Sequence, residues 1–147
     1  MFSHGGIFQN DIQMGLLISD PEVFVPWSMS EEDVPVLFRN CPVTFVTEGY
    51  YVMKGATLFG NLICNIGFHF DNTLRRIEFF RNEYEDLRKS YDGFQRSIER
   101  VFGKPTNQST DETGFLNCTW RISDDIRVTH YVIERFGLEE HLNIEQA

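Results

Sequence analysis

Residues 61–80, NLICNIGFHFDNTLRRIEFF, decide the fold of this 147-residue chain. The first half alternates strictly, and its apolar face is made of Leu62, Cys64, Ile66, Phe68 and Phe70. That period of two predicts a half-buried strand. Asp71 and Asn72 follow as turn chemistry before a second apolar run. The stretch therefore predicts a β-hairpin, and a loop of two or four residues would place Ile77 and Phe79 on the face of Ile66 and Phe68.

Further strands are predicted on both sides of this hairpin. Residues 12–18 and 23–25 are candidates near the start, and residues 43–46 and 50–53 form a hairpin around Glu48 and Gly49. Residues 116–122 and 126–132 alternate, and a three-residue loop would pair Trp120 with Val128. Residues 142–144 predict a last short strand, after which we expect the acidic tail to fray.

Two helices are predicted from capping signals and apolar spacing. One begins at Ser28 or Ser30, each with an acidic residue three positions later, and ends near Arg39, although Pro35 opposes it. The other begins at Ser90 as N-cap and stops at Gly103. Its apolar stripe consists of Phe94, Ile98, Val101 and Phe102. Such a stripe must pack on a sheet.

These elements indicate an α+β fold in a single domain, residues 1–147, with a loose N-terminal segment over residues 1–10. We expect one antiparallel sheet of about six strands with two helices packed on one face, leaving the other face partly open. A helix followed by a hairpin occurs over residues 30–80 and again over residues 90–133. The chain is therefore interpreted as two helix-plus-hairpin units.

This order of elements resembles the tandem helix-and-sheet layout of the beta-lactamase-inhibitor-protein fold. It is also similar to small acidic immunity proteins that neutralise bacterial toxins. The resemblance extends over most of the chain as architecture and includes no signature residues, so no functional residue is carried over from either group. It implies a bacterial binding protein rather than an enzyme.

Composition narrows the classes of partner and location. The formal net charge of −9 opposes binding to phosphate backbones and anionic lipid, so neither nucleic acid nor a membrane surface is expected. No stretch resembles a signal peptide or a membrane span. Cys41, Cys64 and Cys118 have no zinc-site spacing and are odd in number, which is typical of a reducing compartment. We expect a cytoplasmic protein.

Catalytic and metal motifs are absent from the sequence, so no catalytic residue, metal or cofactor is predicted and an enzyme is disfavoured. Cys64 and Cys118 fall on predicted buried faces, where a thiol acts as a small apolar group. His130 also lies on an apolar face and is interpreted as a hydrogen-bonded core or edge residue. His69 lies on the polar face of the central strand, where it could line a pocket.

The candidate partner or pocket residues are aromatic side chains in segments read as loops or strand ends, together with one histidine: Trp27, Tyr50, Tyr51, Phe59 and His69. Two acidic groups could also form a face for a basic partner. They are Glu31, Glu32 and Asp33 in one group and Glu83, Glu85 and Asp86 in the other.

Two hypotheses follow. The leading one is a non-enzymatic protein-binding module, either immunity-like or homodimeric, because catalytic motifs are missing and the chain is acidic and rich in loop aromatics. The alternative is a small-molecule-binding protein or minor enzyme with a pocket between sheet and helices, using His69 together with Glu78 or Arg76 on the same side of the sheet.

Overall fold

The computed structural model describes residues 12–81 and 85–147. Within them, the chain forms ten strands, a helical segment at residues 12–14, a 3-10 turn at Glu31–Asp33 and two further α-helices. The elements in chain order are β1 (Gly15–Asp20), β2 (Glu22–Pro26), α1 (Val34–Leu37), β3 (Val43–Thr47), β4 (Tyr50–Leu58), β5 (Leu62–Asp71), β6 (Thr73–Phe80), α2 (Leu87–Phe102), β7 (Asn107–Thr110), β8 (Leu116–Arg121), β9 (Ile126–Glu134) and β10 (Leu138–Gln146).

The ten described strands join in one antiparallel sheet, in the order β2, β1, β4, β5, β6, β10, β9, β8, β7. Strand β3 pairs with the first half of β4, and β1 pairs with its second half. Hairpins connect most neighbours, as is usual in antiparallel sheets. The exceptions are the pair of β1 with β4 and the pair of β6 with β10. Strand β10 thus lies between β6 and β9 and pairs with both.

The expected fold class is therefore wrong. The chain is mainly β, with ten described strands instead of about six, and α2 is the one described helix longer than a single turn. Strand β10 extends the short strand predicted at residues 142–144 to nine residues, because the acidic tail does not fray. Leu142 and Ile144 are fully buried in the middle of the sheet.

The interpretation as two helix-plus-hairpin units is also wrong. The first predicted helix is reduced to the 3-10 turn and α1, because Pro35 lies at the start of α1 and only four residues follow an α-helical path. The two halves of the chain are joined edge to edge by β10 rather than repeated. The tandem layout of the resemblance is thus not the architecture found.

The central hairpin has the predicted register along most of its length. Ile66 pairs with Phe79, and Phe68 pairs with Ile77. The even loop is wrong, however, because the register shifts after His69 and Asn72 alone remains at the tip, with φ of 66°. This bulge moves Leu74 rather than Arg75 to the buried face. The predicted pair of Trp120 and Val128 is confirmed.

One face of the sheet carries the core. The stripe of α2 packs there as predicted, with Phe94 and Ile98 fully buried, and burying such side chains contributes about 1.5–3 kcal/mol each. The N-cap of α2 is Asp86, which accepts a hydrogen bond from Lys89 N, rather than Ser90. Gly103 ends the helix as predicted.

The chain between β2 and β3 crosses the same face and covers its other half. Trp27, Met29 and Phe38 are buried in this segment. Ser30 forms an antiparallel bridge with Thr73, so the sheet curls until the end of β2 approaches the start of β6. The described helices pack on this face only, and we call the opposite face the open face. The loose start predicted for residues 1–10 lies outside the described residues.

Candidate functional site

The open face is organised in rows, because paired residues on neighbouring strands point to the same side. The register places six residues in one row across β4, β5, β6, β10, β9 and β8. They are Tyr50, His69, Arg76, Glu145, Arg127 and Arg121. The adjacent row is built from smaller side chains: Val52, Gly67, Glu78, Asn143, Thr129 and Thr119.

At one end of these rows, three side chains form a compact cluster. The ring of His69 stacks on Tyr50, with 4.3 Å between centroids and an interplanar angle of 17°. The Tyr50 hydroxyl donates to Glu78 Oε1 at 2.7 Å, and His69 Nε2 lies 3.1 Å from the same oxygen. This geometry is satisfied when His69 carries a proton on Nε2. We call Tyr50, His69 and Glu78 the Tyr–His–Glu cluster.

Gly67 allows the cluster to form. A Cβ atom at this position would lie 2.5 Å from Glu78 Oε1 and 2.9 Å from Tyr50 Cε1. Any side chain here would therefore displace the carboxylate or the ring. A glycine in a strand interior is unfavourable by itself, and here it permits side chains from both neighbouring strands to lie close over the backbone.

The charges around the cluster favour an ionised carboxylate. Burial alone would raise the pKa of Glu78, but hydrogen bonds from His69 and Tyr50 and the nearby Arg76 together hold this pKa below its usual value. Burial and the same carboxylate raise the pKa of Tyr50, which remains a donor. Glu78 is thus an anion held by hydrogen bonds from Tyr50 and His69.

Arg76, next to the cluster, has a guanidinium group whose hydrogen-bonding capacity is incompletely used. Its Nη2 atom lies 3.4 Å from His69 Nε2 and 3.5 Å from Nδ1, and its buried Nε atom has no hydrogen-bond partner among the described residues. A covered donor without a partner is unfavourable. The guanidinium group would gain hydrogen bonds by meeting an oxygen-rich ligand.

Of the five candidate residues, the structure brings Tyr50 and His69 together. Glu78 and Arg76, named as their possible companions, are also in contact with them. Trp27 and Phe59 are buried core residues rather than exposed ones. Trp27 donates to Ile12 O at 2.8 Å, and Phe59 packs edge-on against Phe102.

Tyr51 lies on the opposite face of the sheet, the face on which the helices pack. Its hydroxyl donates to Glu31 Oε2 at 3.0 Å, and its ring makes edge contacts with Phe45 and Phe70. Glu31 also accepts a hydrogen bond from Gly49 N. This carboxylate therefore holds the β3–β4 turn against the chain between β2 and β3, which is a structural role.

The two predicted acidic groups have mostly local roles. Asp33 accepts from Ser30 N at 2.9 Å at the start of the 3-10 turn, and Asp86 caps α2. Glu83 lies outside the described residues. Carboxylates stabilise the N-terminal end of a helix by accepting hydrogen bonds from its unpaired N–H groups and by interacting with the helix dipole. These contacts therefore give no support to a basic partner.

A second polar cluster, unforeseen as a group, is buried between α2 and the sheet. His130 and Glu140 have side chains that are 0% and 1% exposed, and His130 Nε2 lies 2.6 Å from Glu140 Oε2. Ser90 donates to the other carboxylate oxygen at 2.7 Å. Gln95 Oε1 lies 2.7 Å from His130 Nδ1. The interpretation of His130 as a hydrogen-bonded core residue is confirmed.

Hydrogen-bond roles limit what this pair can do. Gln95 Oε1 can only accept, so His130 Nδ1 carries a proton, and one further proton is shared between Nε2 and Glu140. Burial lowers the pKa of His130, while Glu140 acts in the opposite direction. Ser90 bonds to Glu140 and not to His130, so the three side chains do not form a nucleophile-base-acid triad.

The cysteine and tyrosine beside this pair are not activated. Burial raises the pKa of Cys118, although the hydroxyl of Tyr91 and the amide of Gln95 both contact its sulfur. The ring of Tyr91 stacks on His130 at 4.0 Å. Burial also raises the pKa of Cys64 to about 12. Neither thiol is a nucleophile at neutral pH, as the sequence indicated.

A shallow cleft lies where the sheet ends beside α2. Its volume is about 580 Å³, and its lining includes Arg81, Lys89, Arg96 and Ser90. Arg81 is fixed there, because it lies 3.8 Å over the ring of Phe94 and donates to Ser90. Among the described residues, this cleft beside the N-terminal half of α2 comes nearest to the predicted pocket between sheet and helix. His69, Glu78 and Arg76 lie elsewhere, on the open face.

The described residues also bear on metal binding and on membrane-spanning helices. Over residues 12–81 and 85–147, no group of three His, Cys, Asp or Glu side chains is arranged to hold a metal ion. Over the same residues, no helix has the length and apolar character needed to cross a bilayer.

Comparisons with known proteins give a similarity of fold. No protein-family model matches the sequence, and no curated protein matches it. Among solved structures, the chain is similar to the crystal structure of YjgB, a DUF4309 family protein from Bacillus subtilis subsp. subtilis str. 168. The TM-score is 0.52 at 14% sequence identity, over 97% of this chain and 95% of that one.

Proposed function

We propose that this protein is a non-enzymatic protein-binding module whose recognition surface is the open face of the sheet. The observation that carries the proposal is the Tyr–His–Glu cluster, in which two aromatic rings are stacked and hydrogen-bonded to one carboxylate over Gly67. Rings held in this way lose little freedom on binding, which is typical of interface hot spots.

Two observations favour binding over catalysis. The cluster holds its carboxylate as a satisfied anion rather than as a general acid of raised pKa. The buried His130 is enclosed by Gln95, Glu140 and the ring of Tyr91, so its nitrogens face protein groups. The proposal includes a cytoplasmic location, for which the free thiols of Cys41, Cys64 and Cys118 are the support.

Affinity capture from native lysate tests the proposal. Tagged wild type, Tyr50→Ala and His69→Ala would be compared at low and high salt, with Phe136→Ala as control because Phe136 is 99% exposed and lies in the β9–β10 turn. We expect one stoichiometric partner that both cluster variants lose and the control retains. An immunity-like role predicts a toxin as that partner.

Two results would oppose this proposal. Equal recovery of the partner by all four proteins would show that the open face does not bind it. Recovery of the chain alone, as a monomer by light scattering, would remove protein binding altogether. A dimer disrupted by Tyr50→Ala would instead identify a second copy as the occupant, which is the homodimeric form of the same proposal.

The cleft beside α2 supports a second candidate function, binding of a small molecule. Its volume lies in the range of ligand sites, and its lining carries both charges, with Arg81, Lys89 and Arg96 beside Glu85 and Asp86. A thermal-shift screen of small carboxylates and phosphates tests this candidate. We expect a rise in melting temperature that Lys89→Gln with Arg96→Gln abolishes, and no rise with any compound would reject it.

A further inference from the structure

We propose that the open face binds an acidic segment of a partner protein through the guanidinium groups of Arg76, Arg121 and Arg127. This inference rests on the proposed function and specifies the chemistry of the partner. A net charge of −9 allows a basic partner, whereas this inference assigns an acidic one to the open face.

The three arginines lie in the row that begins with Tyr50 and His69. Arg76 pairs with Glu145, Glu145 with Arg127, and Arg127 with Arg121. Adjacent strands are about 4.8 Å apart, so the row from β6 to β8 spans roughly 14 Å. An extended peptide crossing these strands could place successive carboxylates within reach of all three.

Arg121 and Arg127 form an arrangement that folding does not explain. They are directly opposite each other on β8 and β9, and like charges at such positions destabilise a sheet. Arg127 has one counter-ion, Glu145 Oε1 at 3.2 Å. The guanidinium group of Arg121 makes no ion pair with any described residue. A carboxylate placed between the two arginines would remove their repulsion.

Arg76 adds an under-used donor at the other end of the row. Its Nε atom has no partner within the described chain, and its Nη2 atom makes long contacts with His69. Turning this guanidinium group toward a carboxylate would exchange poor hydrogen bonds for charge-assisted ones. The neighbouring stacked rings would then border the bound segment.

The row from β6 to β8 differs in charge balance from the chain as a whole. It carries Arg76, Arg127 and Arg121 against Glu145, a local excess of basic groups on a chain of net charge −9. A nucleic acid would be repelled by the rest of the molecule along its whole length. A short acidic segment meets only the local surface. Thr129 in the adjacent row is half-buried and can bond its backbone.

Fluorescence anisotropy at low salt tests the inference. The probes are a labelled oligoglutamate peptide, an oligolysine peptide and a DNA oligonucleotide. We expect oligoglutamate to bind and Arg121→Gln with Arg127→Gln to weaken it by about tenfold or more. The control is Arg39→Gln with Arg88→Gln, which makes the same change in net charge at exposed positions away from the open face. It should change affinity by less than about twofold.

A structural role is separated from binding by thermal unfolding of the same variants. Removing the like-charged pair should leave the melting temperature unchanged or raise it, while binding is lost. The inference is overturned if oligoglutamate does not bind, if both double variants weaken it equally, or if DNA binds more tightly. The proposed function survives that result when partner capture still depends on Tyr50 and His69, and falls only when it does not.

Discussion

The carboxylate of Glu78 lies directly over Gly67, its partner across β5 and β6. A Cβ at residue 67 would be 2.7 Å from Glu78 Cγ and 2.5 Å from Oε1. The Tyr–His–Glu cluster thus depends on the absence of a side chain as much as on the three that are present.

Gly67→Ala should destabilise the protein by about 1–3 kcal/mol, because the new methyl group must displace Glu78 and the Tyr50 ring. Gly93→Ala is the matched control. Its Cβ would have only Arg81 Nη2 at 3.9 Å, and alanine in helix α2 should stabilise by about 0.5–1 kcal/mol. Urea unfolding of both variants measures the difference, and equal effects would contradict this account of Gly67.

The ionisation of Glu78 should appear in the pH dependence of stability. Its pKa is lowered in the folded state from 4.5, so its contribution is complete above about pH 4.5 and is lost as the pH falls through the lower folded value. Glu78→Gln should therefore be less stable than wild type near neutral pH, and this gap should shrink in acid. Thermal unfolding across pH measures it, and a gap independent of pH would argue against an ionised Glu78.

Removing Glu140 should be among the most damaging single changes. Glu140→Ala leaves His130 and Ser90 buried without their shared partner, and breaking a buried pair in this way costs about 3–5 kcal/mol. Glu139→Ala is the neighbouring control on the open face, where loss of its ion pair with exposed Arg135 should cost within about 1 kcal/mol. Denaturant midpoints compare the two, and similar losses would refute the buried pair.

Phe59 is a core residue, so Phe59→Ala should cost about 3–5 kcal/mol. Phe136→Ala, at a fully exposed ring, should change the free energy of unfolding by less than about 0.5 kcal/mol. Chemical denaturation of both variants checks the assignment. A small effect at Phe59 would return it to the list of candidate binding residues.

Strands with regular alternation were predictable, and those with interrupted alternation were not. Ile66 and Phe68 define their face by period two, and the same pattern gave the pairing of Trp120 with Val128. Strand β10 has the same period, but Glu140 takes one of the positions on its buried face. A charged residue at that position hides the apolar alternation from which a strand is predicted. That carboxylate is buried because His130 meets it from β9, and a local pattern holds no information about a partner on another strand.

The candidate site was predictable only for residues that lie in regular strands. His69 was predicted to share a face with Arg76 and Glu78 because alternation fixes the face of each strand. Tyr50 was predicted only as an aromatic residue at a loop or strand end, and its stacking on His69 was not foreseen. Trp27 and Phe59 were misplaced, because an aromatic residue in an irregular segment is as compatible with the core as with the surface. Ser90 was read as a cap from its local sequence, whereas its partner Glu140 is 50 residues away.

The position of β10 has a consequence for synthesis. Until residues 138–146 have left the ribosome, β6 and β9 each present an unpaired edge, and the two halves of the sheet share no hydrogen-bonded seam. Exposed edges of this kind invite pairing with other chains. The nascent protein therefore passes through a stage in which its two largest hairpin groups are open to aggregation, and one late-made strand both joins and protects them.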